Sequence, residues 1–178
     1  VNFPINKLIH IGRFDPIKKI ELIIEAVSTL RINYPNLSLS IIGSASTDQS
    51  KLYEQQIRDK TSKFVSEGWL RFAPSIKRES IPSLLANHDC FIHACDAAID
   101  KVILEATISK LPVVSINNEF LKQFGSWSRG NKDLNLNLQG ELESLLKSNQ
   151  SDLINEIENR YRFAIENHEL SGWADRLI

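Results

Sequence analysis

The chain has 178 residues, 42% of them hydrophobic, enough for one sizeable α/β domain with a full core or for two very small ones. Its formal net charge of -1 gives no bulk basic character, so no nucleic-acid partner is expected. No apolar run approaches the roughly 18–20 residues that span a bilayer, and the N-terminal VNFPINK lacks the regions of a signal peptide.

KLIHI (7–11) reads as a buried strand, and the turn GRFDPIKK follows it. Residues 20–34 have helical periodicity, with Leu22, Ile23, Ala26, Val27 and Leu30 on one face, and Pro35 and Asn36 stop them. LSLSIIG (37–43) is a second strand. A polar loop and a helix over 52–67 follow, closed by Gly68. WLRFA (69–73) is the third strand, 78–88 a short helix with Pro82 in its first turn, and CFIHA (90–94) the fourth strand. A helix over 100–110 leads to PVVSI (112–116) as the fifth. The region 117–138 is irregular and Asn-rich, with a sixth strand expected near 133–138. Helices over 140–148, 152–168 and 169–178 complete the chain.

Strands alternating with helices at this spacing predict repeated βαβ units. The expected fold is a doubly wound, Rossmann-like α/β domain over 1–178, with a mainly parallel sheet of about six strands and helices on both faces. The run-like strands agree, because such strands are covered on both sides. The chain starts at Val1 and contains no Met, so a segment of a longer chain is expected.

In open α/β sheets, ligands sit outside the carboxyl ends of strands. GRFDPIKK lies at such an end but lacks the G-x-G-x-x-G and the G-x-x-x-x-G-K-[ST] that cradle phosphates with backbone amides. Arg13 and Lys18 could hold a diphosphate by side-chain charge, each contact contributing about 1.5–3 kcal/mol; a solvated basic turn fits the local sequence as well. Glu105 falls inside an otherwise apolar helix, where an unpaired carboxylate costs several kcal/mol. It needs the surface, a cation or a ligand hydroxyl, and Lys101 one turn earlier offers a surface pair. The helix start near 99–101 favours an anion.

These residues carry a resemblance. Gly12-Arg13-x-x-Pro16-x-Lys18 followed by ELIIEA is similar to the opening of the C-terminal domain in glycosyltransferase family 4, group 1 enzymes of the GT-B fold. RFAPSIKRESIPSLLANHDCFIHA, KVILEATISKLPVVSIN and the tail ENHELSGWADRLI resemble later parts of that domain in order and spacing.

The resemblance implies a retaining hexosyltransferase in cytoplasmic polysaccharide biosynthesis. Such an enzyme moves sugar from a nucleotide-diphosphate sugar to a glycan or lipid-linked acceptor, at the inner face of the membrane. It implies that Gly12, Arg13 and Lys18 meet the diphosphate and that Arg13 and Lys18 offset the leaving-group charge. Glu105 then binds ribose hydroxyls, Ile76 packs on the base, and the helix start at Asp100, Lys101 and Val102 faces the phosphates. Neither metal nor cofactor is implied. It also implies a two-domain chain whose missing N-terminal domain would bind the acceptor, so the segment alone is expected to bind nucleotide weakly and not to transfer sugar.

The chain departs from the pattern at Ala97, where the first Glu of E-x7-E belongs, and at 97–100, where AAID replaces E-G-F-G. A D-K-x-x-L-E-A variant occurs among related transferases, and Asp100 and Lys101 would take over part of the work. Lys19 replaces a Gly and adds charge near the phosphates; Lys110 or Leu111 replaces another, which reads as a neutral surface change. His93, at a strand end, faces the cleft as a further candidate, and His10 reads as a packed strand residue. His88 and His168 read as helix-end residues, and Trp69, Trp127 and Trp173 as packing. Arg129 and Lys132 are candidates for substrate contact. Cys90 and Cys95 read as core thiols, since a C-x4-C pair without further ligands is a poor metal site. The alternatives are a degenerate domain that only binds a nucleotide or a partner, favoured by Ala97, and a dehydrogenase, disfavoured by the missing G-x-G-x-x-G.

Overall fold

The computed structural model describes residues 3–97, 99–128 and 137–167. Five strands, β1 (Lys7–Ile11), β2 (Ser38–Ile42), β3 (Leu70–Ala73), β4 (Cys90–His93) and β5 (Val113–Ser115), form one parallel sheet in the order β3-β2-β1-β4-β5. Leu8 aligns with Leu39 on one side and with Cys90 on the other. The order reverses between β1 and β4, which makes the space above their carboxyl ends the switch-point crevice. Sequence predicts about six strands. Among the described residues there are five: of the segment expected to supply the sixth, 133–136 lie outside them, Asn137 caps a helix and Leu138 begins it.

Alternating side chains of the strands feed two cores. Leu8, Leu39 and Ile41 join α1 (Ile20–Leu30) and α7 (Leu138–Lys147) on one face. Ile9, Phe91 and Val113 join α5 (Lys101–Ile108) and α6 (Asn118–Phe124) on the other. In α1 the buried positions Ile20, Ile23, Ile24, Val27 and Leu30 follow helical spacing. The last helix among the described residues, α8 (Gln150–Asn167), contributes Leu153 and Ile157 to the first core and Ala164 to the second, so it crosses the β5 edge. At the crossing Arg160 donates to the carbonyls of Val113 (3.1 Å) and Gly125 (2.9 Å) and lies 4.1 Å from the Trp127 ring. No helix among the described residues is long and apolar enough to cross a membrane.

Several boundaries differ from the predicted ones for local reasons. The second helix begins earlier, as α2 (Asp48–Lys60), because Thr47 and Ser50 form a reciprocal capping box. It breaks at Thr61, whose hydroxyl donates to the Ile57 carbonyl, and resumes as α3 (Ser62–Ser66). Residues 78–80 form a 3-10 turn before α4 (Ile81–Ala86). Helix α6 occupies part of the region expected to be irregular: Asn117 caps it, and Phe120 and Phe124 stack one turn apart at 4.6 Å. The expected helix 169–178, with Trp173, lies outside the described residues, as do His168, Arg129 and Lys132.

Lys110 is no neutral surface change. It holds φ 54° just past α5. There its N–H bonds Thr107 O (3.0 Å) and the Leu111 N–H bonds Ala106 O (3.1 Å). That pair of bonds is the Schellman ending, in which glycine is preferred.

Candidate functional site

Two loops meet over the crevice. The first follows β1. Gly12 N–H bonds Ile42 O at 3.0 Å and Phe14 is fully buried, so Arg13 between them is turned outward and exposed. Arg58 lies over both Phe14 and Phe72, at 5.6 and 4.6 Å from the ring centroids, and clamps this anchor. Asp15 accepts from Ile17 N at 3.1 Å and starts a 3-10 turn over Pro16–Lys18. The turn ends on Lys19 in the left-handed region (φ 49°, ψ 47°), which explains why glycine suits that position. Its consequence is that Lys18 points inward, buried to 9% exposure, while Lys19 faces Asp96 at 4.0 Å.

The second loop follows β4 and leads into α5. Asn117, fully buried, ties it down: its Nδ2 donates to the carbonyls of Cys95 (3.0 Å) and Ala97 (2.5 Å) while its Oδ1 caps α6 at Phe120 N (2.8 Å). Asp100 stands at the N-cap of α5 but leaves the helix amides uncapped. Its Oδ2 instead lies 2.6 Å from Lys18 Nζ and 3.0 Å from His93 Nε2. A carboxylate oxygen only accepts, so His93 Nε2 donates to Asp100, and on the other side of the ring Nδ1 lies 3.2 Å from the Ser115 hydroxyl. Ser115 Oγ in turn accepts from Asn117 N at 3.0 Å. The His93 hydrogen bond, opposed by burial and reinforced by Lys18, holds the Asp100 carboxyl well below the usual carboxylate range.

Glu105 is buried to 2% exposure, one turn further along α5. It is paired with Arg78, whose Nη2 lies 2.7 Å from Oε1, and not with Lys101, which is exposed. Val102 is half-buried. Ile76 sits exposed in the loop after β3, where Ser75 N bonds Ser44 Oγ at 3.0 Å and links that loop to the one after β2. Behind the crevice, His10 is buried with Nδ1 3.0 Å from Ile92 O, and its Nε2 has no partner among the described residues.

The structure thus brings Lys18, His93 and Asp100 into one cluster, and places Gly12 and Arg13 on the turn that carries Lys18. Lys101 and Val102 stand at the helix start that adjoins the cluster. Ile76 and Glu105 belong to a second group beside the loop after β3, joined through Arg78. Sequence reasoning missed Arg78, Asn117 and Ser115. The first had a signal in the buried carboxylate that needed a cation; the other two act through hydrogen bonds that no local pattern reveals. For a metal, the suitable donors are His93, Cys95 and Asp100, whose ligand atoms lie within 4.8 Å of one another. The Lys18 ammonium, 3.8 Å from Cys95 Sγ, stands against this trio, so an ion there would have to displace it.

The sequence model of the family described as glycosyl transferases group 1 matches residues 4–125. The chain belongs to that family. Solved structures show the same architecture. Anabaena HepE in complex with UDP-glucose has a TM-score of 0.75 at 18% identity over 97% of this chain and 47% of its own. TarM of S. aureus, in complex with UDP and other ligands, gives 0.70 at 17% identity over 99% of this chain and 36% of its own. The N-terminal domain of trehalose-6-phosphate phosphatase from Candida albicans gives 0.74 at 15% identity, covering 91% of this chain and 38% of that one. At such identities the likeness establishes the fold: a Rossmann-like domain matching one half of GT-B. The chain spans about half or less of the length of these solved chains. Comparison with curated protein sequences yields no match.

Proposed function

We propose that this glycosyltransferase domain is the donor-binding half of a retaining, metal-independent enzyme that uses a nucleotide-diphosphate sugar. The observation that carries the reading is the pairing, at the switch point, of Lys18 from the β1 turn with Asp100 at the start of α5. It brings a buried cation and the start of α5, whose first amides no side chain caps, to the same place, from opposite sides of the crevice. A diphosphate between them meets Lys18 and Arg13 on one side and the positive end of α5 on the other. Glu105 would accept from the ribose diol and Ile76 would pack on the base. Lys101, Val102 and Lys19 line the phosphate path. In transfer, the bond between the anomeric carbon and the β-phosphate oxygen breaks and the acceptor oxygen bonds that carbon on the same face. The acceptor proton passes to the leaving diphosphate, whose charge the cations offset.

The likeness to HepE with bound UDP-glucose supports the donor class, and its 47% coverage fits an acceptor half supplied by another domain. A glycan or lipid-linked acceptor, hexosyl transfer and a cytoplasmic site at the membrane face complete the proposal. Titration calorimetry with UDP, GDP and ADP in the presence of chelator tests it. One diphosphate should bind, and Lys18→Ala and Arg13→Ala should each weaken it about tenfold or more. No binding by any of the three would sink the donor site.

A second reading, a degenerate domain that holds nucleotide only, is favoured by Ala97, which leaves position 97 without a carboxylate. It predicts that no sugar nucleotide binds better than its diphosphate.

A further inference from the structure

We infer that Asp100 is the residue that recognises the transferred sugar, its Oδ1 accepting a hydrogen bond from a hydroxyl of the donor's glycosyl group. The inference rests on the donor-site reading above.

The two carboxylates of α5 are built alike. Each gives one oxygen to a cation, Asp100 Oδ2 to Lys18 at 2.6 Å and Glu105 Oε1 to Arg78 at 2.7 Å. Among the described residues, neither Asp100 Oδ1 nor Glu105 Oε2 takes a hydrogen bond. A nucleotide sugar has hydroxyls at both ends of a charged centre. Two half-engaged carboxylates five residues apart, with Lys18 and the helix start at one of them, repeat that sequence of hydroxyl, phosphate and hydroxyl. Glu105, beside the loop after β3, is at the nucleoside end, which leaves Asp100 for the sugar.

Among the described residues of the loop before α5, the side chains of Ala94, Cys95 and Ala97 offer no carboxylate, and Asp96 is turned to Lys19 and, at 3.4 Å, to Asn118. Asp100 is also well prepared. Its Oδ2 is filled by two donors, so Oδ1 is the acceptor left. Its position is fixed by a hydrogen-bond chain from Asn117 N through Ser115 and the fully buried His93. An acceptor held ionised and immobile in this way gains from a hydroxyl without reorganising.

The arrangement also gives Asp100 opposite effects on the two parts of the donor. Its charge competes with the diphosphate for Lys18, yet its free oxygen attracts the sugar. The test is calorimetry on the wild-type chain and on Asp100→Asn. The probes are UDP, UDP-glucose, UDP-galactose, UDP-N-acetylglucosamine, GDP and GDP-mannose. For wild type, at least one sugar nucleotide should bind better than its diphosphate by about tenfold or more, the size of a hydrogen bond to a charged acceptor. In Asp100→Asn the diphosphate should bind as tightly or more tightly, and that sugar increment should vanish. With wild type alone, one monodeoxy analogue of the preferred donor should lose the same increment; this arm does not depend on how the variant folds. A change of equal size for diphosphate and sugar nucleotide in Asp100→Asn, in either direction, would reduce Asp100 to a partner of Lys18 and overturn the inference. Diphosphate binding by wild type with no gain from any sugar would also overturn it, leaving the donor site intact. Absence of all nucleotide binding would remove the donor site itself.

Discussion

The guanidinium of Arg78 lies 2.7 Å from the carboxylate of Glu105, 27 residues away in sequence, and this contact makes a buried acid possible in the apolar helix α5. Arg78 is half-exposed and Glu105 almost wholly covered, so the carboxylate depends on the pair more than the cation does. Arg78→Ala should therefore cost about 1–3 kcal/mol, short of a fully buried pair because solvent reaches the guanidinium. The double variant with Glu105→Gln should cost less than the sum of the two singles. Denaturant unfolding of all four chains measures that coupling, and additive costs would show that the contact contributes nothing. On the binding side, Glu105→Ala should weaken UDP more than pyrophosphate, because only the nucleotide carries a ribose.

Lys19 bears the strain that a glycine would relieve. Its φ of 49° lies in the region that costs a side-chain-bearing residue roughly 1–2 kcal/mol. Lys19→Gly should raise stability by about 0.5–1 kcal/mol, the remainder being offset by the freer unfolded chain. Lys110, at φ 54°, should gain less from the same change. Its ammonium is held 2.8 Å from Glu158 and 4.3 Å from the centre of the Tyr161 ring, and both contacts would be lost. Parallel unfolding curves should give that order, and the reverse order would refute the strain argument.

The carboxyl ends of β1 and β2 approach so closely that Gly43 has no room for a side chain. A methyl group there would lie 1.8 Å from the carbonyl oxygen of Gly12, and backbone cannot swing aside as a flexible side chain can. Gly43→Ala should thus cost about 3 kcal/mol, the upper end of ordinary overpacking, and should weaken UDP by moving the turn that carries Arg13 and Lys18. Unfolding and calorimetry on one preparation check both effects; a variant of wild-type stability would mean that the turn is not fixed against β2.

The layered α/β fold was legible because buried strands and amphipathic helices leave distinct periodicities, as the runs at 7–11 and 90–94 and the face of α1 show. That the turn GRFDPIKK follows a strand's carboxyl end was legible for the same reason, whereas the strand order that puts it at the switch point was not, because chirality sets the hand of a crossover and not which strands are neighbours. The partners of the site residues were not. Lys18 and Asp100 are 82 residues apart, and only the folded sheet brings them together. Helix α6 was missed because its seven residues show a single turn of apolar spacing within an Asn-rich stretch, and its cap is completed by a side chain that also holds another loop.

His10 makes stability depend on pH in a defined window. Burial first, then the nearby His93 and Lys18, push its pKa down from 6.5 to about 4 against the opposing Ile92 carbonyl and Asp100. Between those values the unfolded chain binds a proton that the folded chain does not. Stability therefore rises with pH across the window and is lost on acidification, by up to about 3 kcal/mol. His88, also lowered by burial, adds to the same slope, whereas Asp100 acts only at lower pH. His10→Phe should remove most of the loss seen between neutral pH and about pH 4.5 in urea unfolding. An unchanged slope would place the proton elsewhere.

Asn117 joins the stability of the domain to the geometry of the proposed donor site. Its Oδ1 accepts from Phe120 N while its Nδ2 holds the carbonyls of Cys95 and Ala97, so the loop leading to Asp100 hangs from one amide group. Asn117→Ala loses the cap and both loop bonds, worth about 1–3 kcal/mol in a buried setting. Asn117→Asp is isosteric and keeps the cap, but it turns the donor into a charged acceptor facing two carbonyl oxygens. If the loop bonds matter more than the cap, the aspartate should be the more damaging of the two, although it is the smaller change in shape. It should also weaken UDP, because repulsion at Cys95 and Ala97 displaces the start of α5. Unfolding free energies give the first comparison and calorimetry the second. An aspartate variant as stable as wild type would show that the cap alone accounts for the residue.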